Sequence, residues 1–180
     1  TSINGIEEAD LILLIGTNPR YEATILNARI RKSYLNNNTK IISLNDLGDL
    51  TYPYQSLDGQ TQTLKDIFND NHEISKLIKD AEKPMIVLGE SLLNSSSSMY
   101  VFNKAKEFLN KNNKITNDWN AFNILTNDSA TVGNLDLGLI NEKINLLDDL
   151  KENKFDLVFL VGQDNLNFDK KDEFIIYLGS

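Results

Sequence analysis

Residues 11–19 read Leu11-Ile12-Leu13-Leu14-Ile15-Gly16-Thr17-Asn18-Pro19. Five consecutive aliphatic residues without alternation predict a strand covered on both faces, as in a parallel sheet. Gly16 ends the run, Asn18 is a helix-capping residue type, and Pro19 suits a first helical position. Beyond it Ala23, Leu26, Ile30 and Tyr34 recur at helical spacing, which predicts one apolar face. Arg29, Arg31 and Lys32 then fall where the helix dipole is negative. A second strand over Lys40 to Leu44 completes a βαβ unit at about 9–46.

Outward from this unit, short apolar runs keep alternating with helical periodicity, the pattern of an α/β fold. Residues 45–60, with Tyr52-Pro53-Tyr54, read as a long ordered loop. Leu64, Ile67 and Phe68 mark one short helix; Ile74, Leu77, Ile78 and Ala81 mark another. Met85 to Leu88 reads as a third strand after Pro84. Helices follow at about 99–111 and near 140–151, and strands at Phe155 to Val161 and Phe174 to Leu178. The expected fold is therefore a Rossmann-like, three-layer parallel-sheet domain, with residues 47–180 continuing the sheet of the first unit. No helix follows the last strand, so the chain reads as part of a larger architecture.

Composition narrows the function. At 180 residues with 41% apolar content, the chain can bury one sizeable core. Its net charge of -8 repels phosphate backbones and argues against nucleic acid. The absence of cysteine excludes thiolate metal sites, iron–sulphur ligation and cysteine nucleophiles within these residues. No apolar run reaches the ~20 residues of a membrane-spanning helix. The 24 asparagines and 15 lysines against 3 arginines read as codon bias rather than chemistry.

Three strands end alike: Gly16-Thr17-Asn18, Gly89-Glu90, and Gly162-Gln163-Asp164. Strand carboxyl ends face the ligand crevice of an open parallel sheet, and glycine there permits close backbone approach. Gly16, Gly89 and Gly162 are expected at one edge of one sheet, with Arg20 the best anion contact. The competing reading is that glycine only opens tight strand-to-helix turns. Neither dinucleotide nor Walker glycine loop is present. The only histidine, His72, reads as an exposed linker residue, and Glu7, Glu8, Asp10, Asp148 and Asp149 as solvated surface. Trp119, with Phe122 and Leu125, reads as a packing anchor. No nucleophile, base and oxyanion donor come together, so no catalytic residue and no metal ligand is assigned.

The stretch Gly5 to Arg20 resembles the molybdopterin oxidoreductase family. Glu22-Ala23, Leu26-Asn27-Ala28-Arg29-Ile30-Arg31-Lys32, Asp49-Leu50-Thr51-Tyr52, Lys83 to Gly89, Leu135-Asp136-Leu137-Gly138 and Phe174 to Tyr177 narrow the resemblance. They are similar to the large iron–sulphur subunits of respiratory complex I, in the mitochondrial-like form of alphaproteobacteria. The resemblance implies a scaffold domain without molybdenum, its iron–sulphur clusters held by a preceding region of the parent subunit. It further implies peripheral-arm subunits as partners, no direct membrane insertion, a place on the cytoplasmic side of a bacterial inner membrane, and NADH–quinone electron transfer by the parent complex. In active relatives, loops matching Gly16-Thr17-Asn18 and Gly162-Gln163-Asp164 hold cofactor phosphates and guanine. Gly16, Thr17, Asn18, Arg20, Gly89, Gly162, Gln163 and Asp164 are thus candidates for a vestigial crevice, with no cofactor expected in it. Leu44-Asn45-Asp46-Leu47 departs from the Asp-Pro-Arg common in those enzymes. The alternatives are a fragment of a molybdopterin-dependent oxidoreductase and a free-standing nucleotide-binding module.

Overall fold

A computed structural model describes residues 1–128, 130–139, 146–163, 169 and 171–179, with the backbone alone at Leu93. It divides into two compact units, residues 1–129 and 130–180.

The first unit is built on a five-stranded, all-parallel sheet in the order β3-β2-β1-β4-β5. Its strands are β1 (Leu11–Ile15), β2 (Lys40–Ser43), β3 (Gln55–Ser56), β4 (Pro84–Gly89) and β5 (Phe122–Leu125). Every residue of β1 and β4 is buried, as the unbroken apolar runs predicted. Right-handed connections place the helices. The chain moves one way along the sheet from β1 to β2 and the other way from β4 to β5. Hence α1 (Pro19–Glu22) and α2 (Thr24–Asn37) cover one face, and α3 (Thr61–Phe68), α4 (Glu73–Asp80) and α6 (Ser98–Lys111) the opposite one. On that second face Phe68 of α3 meets Phe108 of α6 with ring centroids 6.1 Å apart. The short α5 (Glu90–Leu93) opens the connection after β4.

The predicted single helix after β1 is interrupted: Ala23 leaves helical geometry at φ -151, ψ 75 and separates α1 from α2. Polar side chains also enter the core. Ser33 meets Thr39, and the Thr39 hydroxyl donates to the Ala9 carbonyl, tying α2 to the entry of β1. The strand β5 escaped the sequence reading because it is four residues long and interrupted by Asn123; three of its residues are half-buried and Ile124 is exposed. Trp119 is the anchor expected: it is buried, and its indole N–H donates to the Pro84 carbonyl at 2.7 Å. His72 is no linker residue; its Nδ1 accepts from the Ile74 amide and caps α4. The acids before β1 are more than solvated surface. Glu7 pairs with Arg29 and Lys32, and Asp10 accepts from the Glu82 and Lys83 amides, joining the starts of β1 and β4.

The second unit contains α7 (Thr131–Asp136), α8 (Leu146–Lys151), β6 (Leu157–Val161) and β7 (Phe174–Leu178). The helix expected near 140–151 begins in residues outside those described, and α8 is its described part. β6 and β7 pair in parallel with each other in a separate two-stranded sheet. They therefore do not extend the five-stranded sheet, contrary to the expectation for residues 47–180. Their apolar residues are largely exposed, Val161 at 72% and Phe174 at 65%, so apolar composition marks these strands without fixing what covers them or which neighbour they join.

Candidate functional site

The crevice at the carboxyl end of β1 begins with backbone geometry. Gly16 turns the chain at φ +65, a conformation that L side chains rarely adopt, and the space a β-carbon would need is taken by Leu92. Asn18 caps α1 through its side-chain oxygen, which accepts from the Arg20 amide at 3.2 Å. Its side-chain nitrogen donates to the Leu47 carbonyl at 3.1 Å. The Asn18 cap and Pro19 position match their sequence assignment.

Glu22, itself exposed, closes this turn with its carboxylate. One carboxylate oxygen accepts from the Thr17 hydroxyl at 2.9 Å and the other from the Asn18 amide at 2.8 Å. These are the donors that an oxyanion at the turn would use. Sequence reasoning missed this role, although an acid in the first turn of a predicted helix was its available signal.

Arg20 is also committed. Its guanidinium pairs with the Asp49 carboxylate at 2.7 Å and donates to the Asp49 carbonyl. The hydrogen bond from Arg20, with a second from the Thr51 amide, holds the Asp49 carboxyl below its ordinary range. Arg20 is thus a brace for the loop after β2 rather than a free anion contact. The same loop is tied down at Asn27, whose side chain donates to the Leu50 carbonyl at 3.0 Å and accepts from the Tyr52 hydroxyl at 2.7 Å. Burial, with a smaller contribution from Tyr54, pushes the Tyr52 hydroxyl pKa up.

The β4 turn closes the other side. Gly89 lies against the Gly16 carbonyl, Ser91 donates its hydroxyl to that carbonyl, and Glu90 accepts from the Asn127 amide at 2.6 Å. The expected meeting of strand-end glycines therefore holds for Gly16 and Gly89. Gly162 follows β6, which belongs to the other sheet, so the three glycines do not share one sheet edge. Within its own unit Gly162 sits at φ +61 and donates its amide to the Leu178 carbonyl. Gln163 is exposed, and Asp164 lies outside the described residues. Among the described residues, no three His, Cys, Asp or Glu side chains converge as a metal site.

Parallel strands closed by glycine turns are shared by many α/β folds, and comparison with known proteins separates them. The molybdopterin oxidoreductase family model matches residues 1–180.

The chain belongs to the molybdopterin oxidoreductase family.

Relatives narrow the placement within that family. The chain is 36% identical to the mitochondrial NADH dehydrogenase (ubiquinone) iron-sulfur protein 1 of Solanum tuberosum, over 99% of its own length and 24% of the relative's. It is 35% identical to the NADH-ubiquinone oxidoreductase 75 kDa subunit of Reclinomonas americana, over 99% of this chain and 26% of the relative. An NADH-quinone oxidoreductase subunit of Rickettsia bellii is 33% identical, with the same shares covered, 99% and 26%. The chain spans about a quarter of the length of the curated relatives it matches.

The cofactor that names the molybdopterin oxidoreductase family carries phosphate, so its fit can be judged from the donor set. At the Gly16 turn Glu22 already occupies the Thr17 and Asn18 donors, and Arg20 is paired with Asp49. A phosphate there would meet a carboxylate in place of free donors. This turn does not fit the group.

Proposed function

We propose that residues 1–180 serve as a non-catalytic scaffold domain of the large iron–sulphur subunit of a respiratory NADH–quinone oxidoreductase. The observation that carries this reading is the Glu22 carboxylate seated on the Thr17 and Asn18 donors of the first strand-end turn. A cofactor-binding domain needs those donors free; a scaffold needs them satisfied. Similarity over nearly the whole of this chain to part of subunits named for NADH–ubiquinone and NADH–quinone oxidoreductases supports the parent assignment.

On this reading the parent complex passes electrons from NADH to quinone and couples that transfer to proton translocation. Iron–sulphur clusters need several thiolate or imidazole ligands. These residues offer no cysteine and one histidine, so any such cluster is held elsewhere in the parent subunit. The domain contacts other peripheral-arm subunits on the cytoplasmic side of the inner membrane. Among the described residues no helix is long and apolar enough to cross a membrane, which agrees with a peripheral position.

Calorimetric titration with a guanine-containing pterin, NADH and common divalent ions tests the scaffold role. No saturable heat is expected. Binding tighter than about 10 μM, roughly -7 kcal/mol, would overturn the reading in favour of a cofactor-binding oxidoreductase fragment.

A further inference from the structure

The helix α2 buries one face and leaves two large aliphatic side chains, Ile25 and Leu35, exposed on another. Its inner face carries the buried Asn27, Ile30 and Ser33. Its outer face presents Ile25, Ala28, Lys32 and Leu35 at successive spacings of three, four and three, all exposed. Ile25 is 71% and Leu35 63% exposed. A surface helix of a finished domain turns one apolar stripe inward and polar residues outward; a second stripe at heptad spacing fits a second partner. At its amino-terminal end this stripe runs into an apolar cavity of about 490 Å³, lined by Ile3, Ile25, Leu26, Val87, Ile124 and Leu125.

Charge specifies the partner. Over Thr24–Asn37 the helix holds Arg29, Arg31 and Lys32 and no acidic residue, in a chain of net charge -8. Glu7 pairs with Arg29 and Lys32, whereas Arg31 is exposed and makes no ion pair among the described residues. We infer that the outer face of α2, with the adjoining cavity, docks an acidic amphipathic helix from another subunit of the same assembly. Apolar residues of that helix pack along Ile25, Ala28 and Leu35, and a flanking carboxylate meets Arg31. The inference rests on the scaffold reading only for the existence of the assembly.

The test titrates the isotope-labelled chain with two synthetic peptides of about three heptads, Ile at a and Leu at d. One carries Glu at e and g, the other Lys. The acidic peptide is expected to bind saturably, with shifts confined to α2 and the cavity, at least ~10-fold tighter than the basic one. The paired substitution Ile25→Ser and Leu35→Ser should weaken it by ~10-fold or more, and Arg31→Glu should reverse the charge preference. Equal affinity for both peptides, no saturable shift with either, or binding undiminished by the serine substitutions overturns the inference. So does a dimer of the chain alone that those serines abolish, since the face would then belong to a second copy. Should the serine variant not fold, the peptide comparison and Arg31→Glu still decide. Pterin binding would overturn the scaffold reading and leave this surface standing, while peptide failure would do the reverse.

Discussion

The carbonyl of Gly16 rests against the α-carbon of Gly89, inside the space where a β-carbon at position 89 would lie. The Thr17 β-carbon is 2.6 Å from that same position. Because Gly89 has an ordinary φ of -83, space rather than conformation demands glycine there. Gly89→Ala should therefore act as overpacking between two backbones and cost about 2–3 kcal/mol. Gly48 supplies the contrast: its φ is +70 but open space surrounds it, so Gly48→Ala carries only the left-handed penalty of about 1 kcal/mol. Urea unfolding of both variants decides the matter. A Gly89→Ala loss no greater than that of Gly48→Ala would remove the close approach as the cause.

Glu22 accepts from two donors at the first turn, the Thr17 hydroxyl and the Asn18 amide. Glu22→Ala should cost about 1–2 kcal/mol, the worth of a charge-assisted contact at a helix start. The local readout is more telling. Amide exchange at Asn18 should accelerate several-fold while that of the β1 core amides changes little. Unchanged protection at Asn18 would show that the carboxylate does not hold the turn closed.

Asn27 is a buried side chain satisfied by one donor and one acceptor in the loop after β2. Tyr52→Phe leaves the Asn27 oxygen without its donor in the interior, so a loss of about 1–2 kcal/mol is expected. A change below about 0.5 kcal/mol in urea unfolding would mean water replaces the hydroxyl.

The loop also carries a pH dependence. Asp49 is held low by the hydrogen bond from Arg20, then by the Thr51 amide; Asp46 by the Gly48 amide, then by Tyr54; and Asp58 by Thr63, then by the Gln60 amide. A carboxyl whose folded pKa lies below its unfolded value stabilises fully above the unfolded value. That contribution fades as pH falls through the folded one. With an ordinary value of 3.8, the loss belongs below about pH 4. Asp49→Asn should lower Tm near neutral pH, and its gap from the unsubstituted chain should narrow progressively as pH falls below about 4. A gap constant across that range would rule out ionisation of Asp49 as the source.

The parallel βαβ unit was legible because it rests on local signals. Five unalternating aliphatic residues, a capping asparagine and a proline at the first helical position each act within a few residues, and the structure places all three as read. Trp119 was legible as an anchor for the same reason, an aromatic side chain beside further apolar residues. The roles of Arg20 and Glu22 were not. Arg20 reads as a free cation until folding brings Asp49 beside it, 29 residues away. The pairing of Glu22 with Thr17 and Asn18 appears only once the Gly16 turn presents those donors to it.

The alternation of elements, the glycine turns that end β1 and β4, and the family reside in residue type and short spacing, so they are legible in the chain alone. Which strands share a sheet was decided only by the tertiary structure. The apolar runs at Leu157–Val161 and Phe174–Leu178 carry the signature of parallel strands, yet they pair with each other and not with β5. Strand pairing joins backbone N–H and C=O groups that every residue carries, proline lacking only the N–H, so residue type marks a strand without naming its neighbour. The state of the crevice was decided in the same way. Its donors are visible in the chain, but whether they face a ligand or the protein's own carboxylate depends on where the fold sets Glu22.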